Sequence, residues 1–86
     1  MNSGHIYQNL MVDMYVLAIC DLALSESVTS KLNEINEVAE VHRLYGCFDI
    51  LVKMSGSSTK ELENIYSKIK YMDGIKNAST LIGFGK

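Results

Sequence analysis

Cysteine is the first scarcity. Cys20 and Cys47 are the only two, far apart in the chain and in no Cys-x-x-Cys pair. Their spacing excludes a zinc ribbon and a dithiol redox motif, and predicts buried, reduced thiols in a cytosolic protein. Histidine is equally sparse: His5 and His42 have no carboxylate or cysteine at ligand spacing, so neither a metal nor a cofactor is expected.

An excess of basic charge is also missing. Eight Lys and Arg stand against ten Asp and Glu, for a net charge of −2, and the basic residues are scattered. Such a chain carries no electrostatic footprint for a phosphate backbone, and no direct nucleic-acid partner is expected. Long apolar runs are absent too. The longest, Met14 to Cys20, is far short of the roughly 18 residues that signal a membrane span. The first residues lack a basic patch followed by an apolar core, so they do not read as a secretion signal. The expected location is the cytoplasm.

What is present is a small chain rich in apolar residues. Its 86 residues are 48% hydrophobic and 21% charged. A domain of this size buries only about 60–65% of its unfolded surface, which predicts a partner surface.

Met1 to Val12 shows no sustained period and is expected to be a flexible tail (residues 1–12), leaving residues 13–84 as one domain. Met14 to Cys20 is apolar at odd and even positions alike, which suits a strand buried on both faces. Ser25 before Glu26 places a hydroxyl cap and an acid where a helix begins, and Val28, Leu32 and Ile35 form its apolar stripe. Glu37 to Tyr45 reads as a second strand. After Gly46, a third strand alternates Phe48, Ile50, Val52 and Met54 with Asp49, Leu51 and Lys53.

Ser58-Thr59-Lys60-Glu61 has the form of a capping box, starting a second helix at Thr59 with Leu62, Ile65, Tyr66 and Ile69 as its stripe. Gly74 suits a left-handed cap, and Ile75 to Ile82 makes a fourth strand. A shift of 34 positions carries Ser25 to Thr59, Val28 to Leu62 and Ile35 to Ile69, so the phrase Ile35-x-x-Val38-x-x-Val41 recurs as Ile69-x-x-Met72-x-x-Ile75. Two matched β-α-β halves joined at Gly46 predict an α+β, ferredoxin-like βαββαβ fold: a four-stranded antiparallel sheet with two helices on one face. The other face, apolar as well, is expected to pack against the same face of a second copy.

Gly46 takes positive φ without strain, so the central hairpin is expected to reverse there. Three residues on, Asp49 stands beside the exposed amides of that turn, a combination able to hold a small zwitterion. Read without any ligand, Asp49 is a strand-end acid or a turn-stabilising Asx contact.

From Asp13 to Phe84, the chain resembles the effector-binding, or RAM, domain of the Lrp/AsnC transcription regulators. The likeness is carried by the strand-turn-strand Val38-Ala39-Glu40-Val41-His42-Arg43-Leu44-Tyr45-Gly46-Cys47-Phe48-Asp49-Ile50-Leu51-Val52-Lys53 and by the Gly74-Ile75 to Thr80-Leu81-Ile82 ending. Tyr45 departs from the small or hydroxyl residue usual before that glycine. The resemblance implies a stand-alone form without the helix-turn-helix, built as a dimeric α/β barrel whose dimers assemble into rings. It also implies an amino acid effector in the cleft between dimers, bound by Gly46, Cys47, Phe48 and Asp49 with Ser79 and Thr80 of the last strand. The expected function is effector binding and oligomerisation in amino-acid-responsive transcription regulation, without catalysis. Two alternatives stand beside it: a ligand-free module pairing with full-length regulators, and a small enzyme on the same dimeric barrel, for which His42 and Asp49 lack an orienting partner.

Overall fold

The computed structural model describes residues 11–84. Most of the expected tail therefore lies outside the described residues, and Val12 already opens the first strand, β1 (Val12–Cys20). Along β1, Val12, Met14, Val16, Ala18 and Cys20 are buried while the residues between them are half-buried. The position of β1 accounts for its two apolar faces, because it runs between β3 (Ile50–Gly56) and β4 (Ile75–Phe84) in a sheet of order β2-β3-β1-β4. All three pairings are antiparallel. The helices α1 (Ser25–Asn33) and α2 (Thr59–Lys70) complete the order β-α-β-β-α-β, with β2 (Val38–Arg43) as one edge strand. This is the ferredoxin-like fold. No helix among the described residues is long and apolar enough to cross a membrane.

The core lies under the helices. Val28 and Leu32 of α1, Leu62 and Ile69 of α2, and Ile50, Val52 and Met54 of β3 meet the buried row of β1. Burying each such side chain contributes about 1.5–3 kcal/mol, so this row fixes which face of the sheet the helices cover. The register sets the opposite face: Leu17 stands beside Leu51, and Tyr15 beside Leu81, which is exposed.

Further local expectations need correction. Ser25 is not a cap but the buried first residue of α1, whose cap position, Leu24, has no side-chain hydrogen bond; the side-chain cap lies one turn earlier, where Asp21 Oδ1 accepts from the Ala23 N–H at 3.1 Å and starts a single 3-10 turn, Leu22–Leu24. That turn runs into α1 without a break, since the Ser25 N–H donates to the Leu22 carbonyl.

Ile35 is not on the helix. It falls in the turn after Asn33, half-buried against the core, with its N–H donating to the Leu32 carbonyl at 3.1 Å. The repeat explains this. Helix starts match at a shift of 34, but α2 has 12 residues to the 9 of α1. The turns that leave the helices therefore match at a shift of 37, pairing Ile35 with Met72 and Val38 with Ile75.

The capping box is the third. Ser58 Oγ accepts from the Glu61 N–H at 3.1 Å as expected, but the Glu61 carboxylate turns to the N–H and hydroxyl of Ser57, one residue earlier.

The central hairpin is the fourth. β2 stops at Arg43 and β3 starts at Ile50, so the reversal takes the six residues 44–49, and Tyr45 and Phe48 lie in the loop rather than in strands. The loop is closed by the Leu44 N–H donating to the Asp49 carbonyl at 2.8 Å. Gly46 does take positive φ, at +132°.

Gly74 has φ +100°, but α2 ends at Lys70 with Tyr71 as its cap, so this glycine turns the chain into β4 rather than capping the helix as expected. A Cβ there would also stand 2.6 Å from Val28 Cγ2, so glycine lets α1 close over this turn. The Gly74 carbonyl in turn accepts from the Asp21 N–H at 2.9 Å, tying the entry of α1 to the entry of β4.

Candidate functional site

The loop 44–49 forms one wall of a cleft of about 530 Å³. Leu44, Tyr45, Gly46 and Asp49 line it from the loop, Arg43 from the end of β2, and Leu22 and Ser25 from the entry of α1. The 3-10 turn started by Asp21 is what brings Leu22 and Ser25 to this side of the sheet.

Asp49 is held from two directions. Its N–H donates to the Ala18 carbonyl at 2.9 Å, and its Oδ2 accepts from the Cys20 N–H at 2.9 Å. It therefore ties the loop to the end of β1 just beyond the last β1–β3 pair, Ala18 with Ile50. Its second carboxylate oxygen has no hydrogen-bond partner among the described residues.

Gly46 owes its role to the backbone alone, since a Cβ there would meet nothing within 4 Å. The N–H groups of Tyr45, Gly46, Cys47 and Phe48 make no hydrogen bond among the described residues. A bent run of free amides beside a carboxylate with a spare oxygen offers donors and an acceptor side by side.

The charges around the cleft are felt at Cys20. Burial pushes its thiol up from the ordinary value, the Asp49 carboxylate adds to this, and the Arg43 guanidinium opposes it. On the other face of the sheet, His42 Nε2 lies 2.8 Å from Glu40 Oε1, and this hydrogen bond, helped by the Lys53 and His42 charges, holds the Glu40 carboxyl below its usual range.

Of the six residues expected at the site, Gly46 and Asp49 line the cleft. Cys47 and Phe48 belong to the same loop without lining it, and Cys47 is exposed, so the expectation of two buried thiols holds for Cys20 only. Ser79 and Thr80 lie on β4, at the sheet edge away from the hairpin. Ser79 pairs with Leu17 on the open face and Thr80 with Val16 on the helix face, so one chain does not bring them to the cleft. Sequence reasoning missed Leu22, Ser25 and Arg43 as lining residues. Arg43 had a signal, a cation in the row of β2 opposite core residue Ile50. Leu22 and Ser25 had none, because their approach depends on the turn ahead of α1.

The chain matches the Lrp/AsnC ligand binding domain over residues 16–84. It is 33% identical over 70 residues to homocitrate synthase of Saccharolobus solfataricus, a match covering 80% of this chain and about 15% of the length of that enzyme. Among solved structures it is similar to hypothetical protein PHS023 from Pyrococcus horikoshii, with 32% identity, a TM-score of 0.77, and 84% of this chain and 88% of that one covered. It shares its fold with transcriptional regulator NMB0573 from Neisseria meningitidis, solved as an L-Met complex, at 13% identity and a TM-score of 0.70, covering 96% of this chain and 55% of that one.

Proposed function

Because this chain belongs to the Lrp/AsnC ligand binding domain family, we propose that it is an amino-acid-sensing module of transcription regulation whose effector docks at the loop 44–49. The effector's ammonium sits on the free oxygen of Asp49, and its carboxylate on the amides of residues 45–48. The observation that carries this is the pair of free amides at Tyr45 and Gly46 in one cleft with a half-used carboxylate, the amides of Cys47 and Phe48 continuing the run along the loop. Cys47 and Phe48 contribute through those backbone amides. Ser79 and Thr80 complete the pocket from a neighbouring copy. The L-Met complex of the Neisseria regulator supports an amino acid as the ligand class.

The module works as an oligomer. Two copies close their open sheet faces on each other as a dimeric α/β barrel around Tyr15, Leu17, Leu51 and Leu81, and the dimers assemble into a ring. A second reading, an assembly module that pairs with full-length regulators of the family, rests on the same open face and needs no ligand.

A thermal-shift screen against the twenty amino acids separates the two. A ligand at 100 times its dissociation constant adds about 2.7 kcal/mol of stability, and one or a few amino acids are expected to do so. A flat response across all twenty overturns the sensing reading and leaves the assembly module.

A further inference from the structure

The loop amides and Asp49 account for the two groups that every α-amino acid carries, and they leave Arg43 unassigned. Arg43 ends β2 opposite Ile50, so it leaves the sheet on the helix side, where it lines the cleft with Leu22, Leu44 and Tyr45. It makes no ion pair, the one pair among the described residues being His42 with Glu40. Asp49 lines the same cleft, yet the two opposite charges do not touch, although a guanidinium fork readily takes a carboxylate in bidentate fashion. A donor-only group and a half-used acceptor that line one cleft with Leu22, Leu44 and Tyr45 and do not pair with each other match a molecule with an ammonium at one end, an anion at the other and a short apolar stem between.

Resting on the reading above, in which the amides take the α-carboxylate, we propose that Arg43 is the specificity-determining residue and receives a second carboxylate at the end of the effector's side chain. The effector class is then the dicarboxylic amino acids. The stem lies against Leu44 and Tyr45, and the distal carboxylate accepts two guanidinium N–H groups. A side-chain amide of the same shape brings one oxygen in place of two and no charge.

Calorimetry on the full chain with L-glutamate and L-glutamine tests this, since the two differ only at the distal group. Glutamate is expected to bind wild type about tenfold more tightly or better, the difference between a charge-assisted and a neutral hydrogen bond. Arg43→Gln should erase that preference, and Arg43→Lys should keep part of it, retaining the charge but losing the fork. Arg43 is exposed, so both variants should melt with wild type. If a neutral amino acid binds wild type as tightly as glutamate, or if Arg43→Gln leaves the ratio unchanged, the assignment of Arg43 falls while the amino acid site stands. If none of the twenty amino acids binds, both fall together.

Discussion

Asp49 has one task in the fold, accepting from the Cys20 N–H, and a second in the proposed site, and the two can be separated by substitution. Asp49→Asn retains an oxygen able to accept from the Cys20 N–H but removes the charge offered to an ammonium. It should stay folded and bind its best amino acid roughly 10- to 150-fold more weakly by calorimetry, since a hydrogen bond to a charged group contributes about 1.5–3 kcal/mol. Gly46→Val should fail differently, losing both ligand and stability, because a β-branched residue resists the φ of +132° there. Unchanged affinity in folded Asp49→Asn would leave the residue a strut only. The two thiols separate as clearly. At neutral pH an alkylating reagent should label exposed Cys47 and spare Cys20, which is buried and held protonated. The raised Cys20 pKa favours the thiol in the folded chain, so its contribution to stability is intact below the ordinary thiol range and is lost as pH climbs through and beyond that range.

At the scale of elements, the two helices differ in how their stripes end. Ile69 is fully buried, whereas Ile35 sits in a turn and is half-buried. Ile69→Ala should lower stability by about 2–5 kcal/mol in denaturant unfolding, and Ile35→Ala by clearly less. Equal losses would mean that the turn is packed as tightly as the helix. The two helices and β3 were legible in the sequence because each buries one face, and burial writes a period of 3.6 or 2 into the residues, whereas β1 was legible as a short apolar run. Their ends were less legible. Ser25 carries the chemistry of a cap, but the 3-10 turn opened by Asp21 runs straight into α1 and makes Ser25 a helical residue, its N–H already donated to the Leu22 carbonyl. Phe48 alternates like a strand residue, yet the adjoining Asp49 is bonded to β1, a contact between residues far apart in the chain that no local pattern records. The acid after Gly46 was legible for the same reason that its partner was not: one is a neighbour in sequence, the other only in space.

For the whole molecule, the proposed assembly rests on the open sheet face. A lysine at Leu17, at the centre of that face and beside Leu51, would bring like charges together where two copies meet. Leu17→Lys should turn the expected dimer into a monomer by light scattering, with the helix side of the core undisturbed. A wild-type monomer at micromolar concentration would remove the barrel from the proposal.

The strand order β2-β3-β1-β4 has a consequence in time rather than in space. β1 and β2 come from the first half of the chain and β3 and β4 from the second, and every pairing in the sheet joins one half to the other. Neither β-α-β half can begin a ladder alone, so the rate of folding is set by closing distant segments rather than by winding local ones. Folding should then be slow for a chain of this length, on the order of milliseconds to seconds, and all-or-none. Two peptides made by cutting within residues 44–49 should each remain without a sheet, and regain it only when mixed.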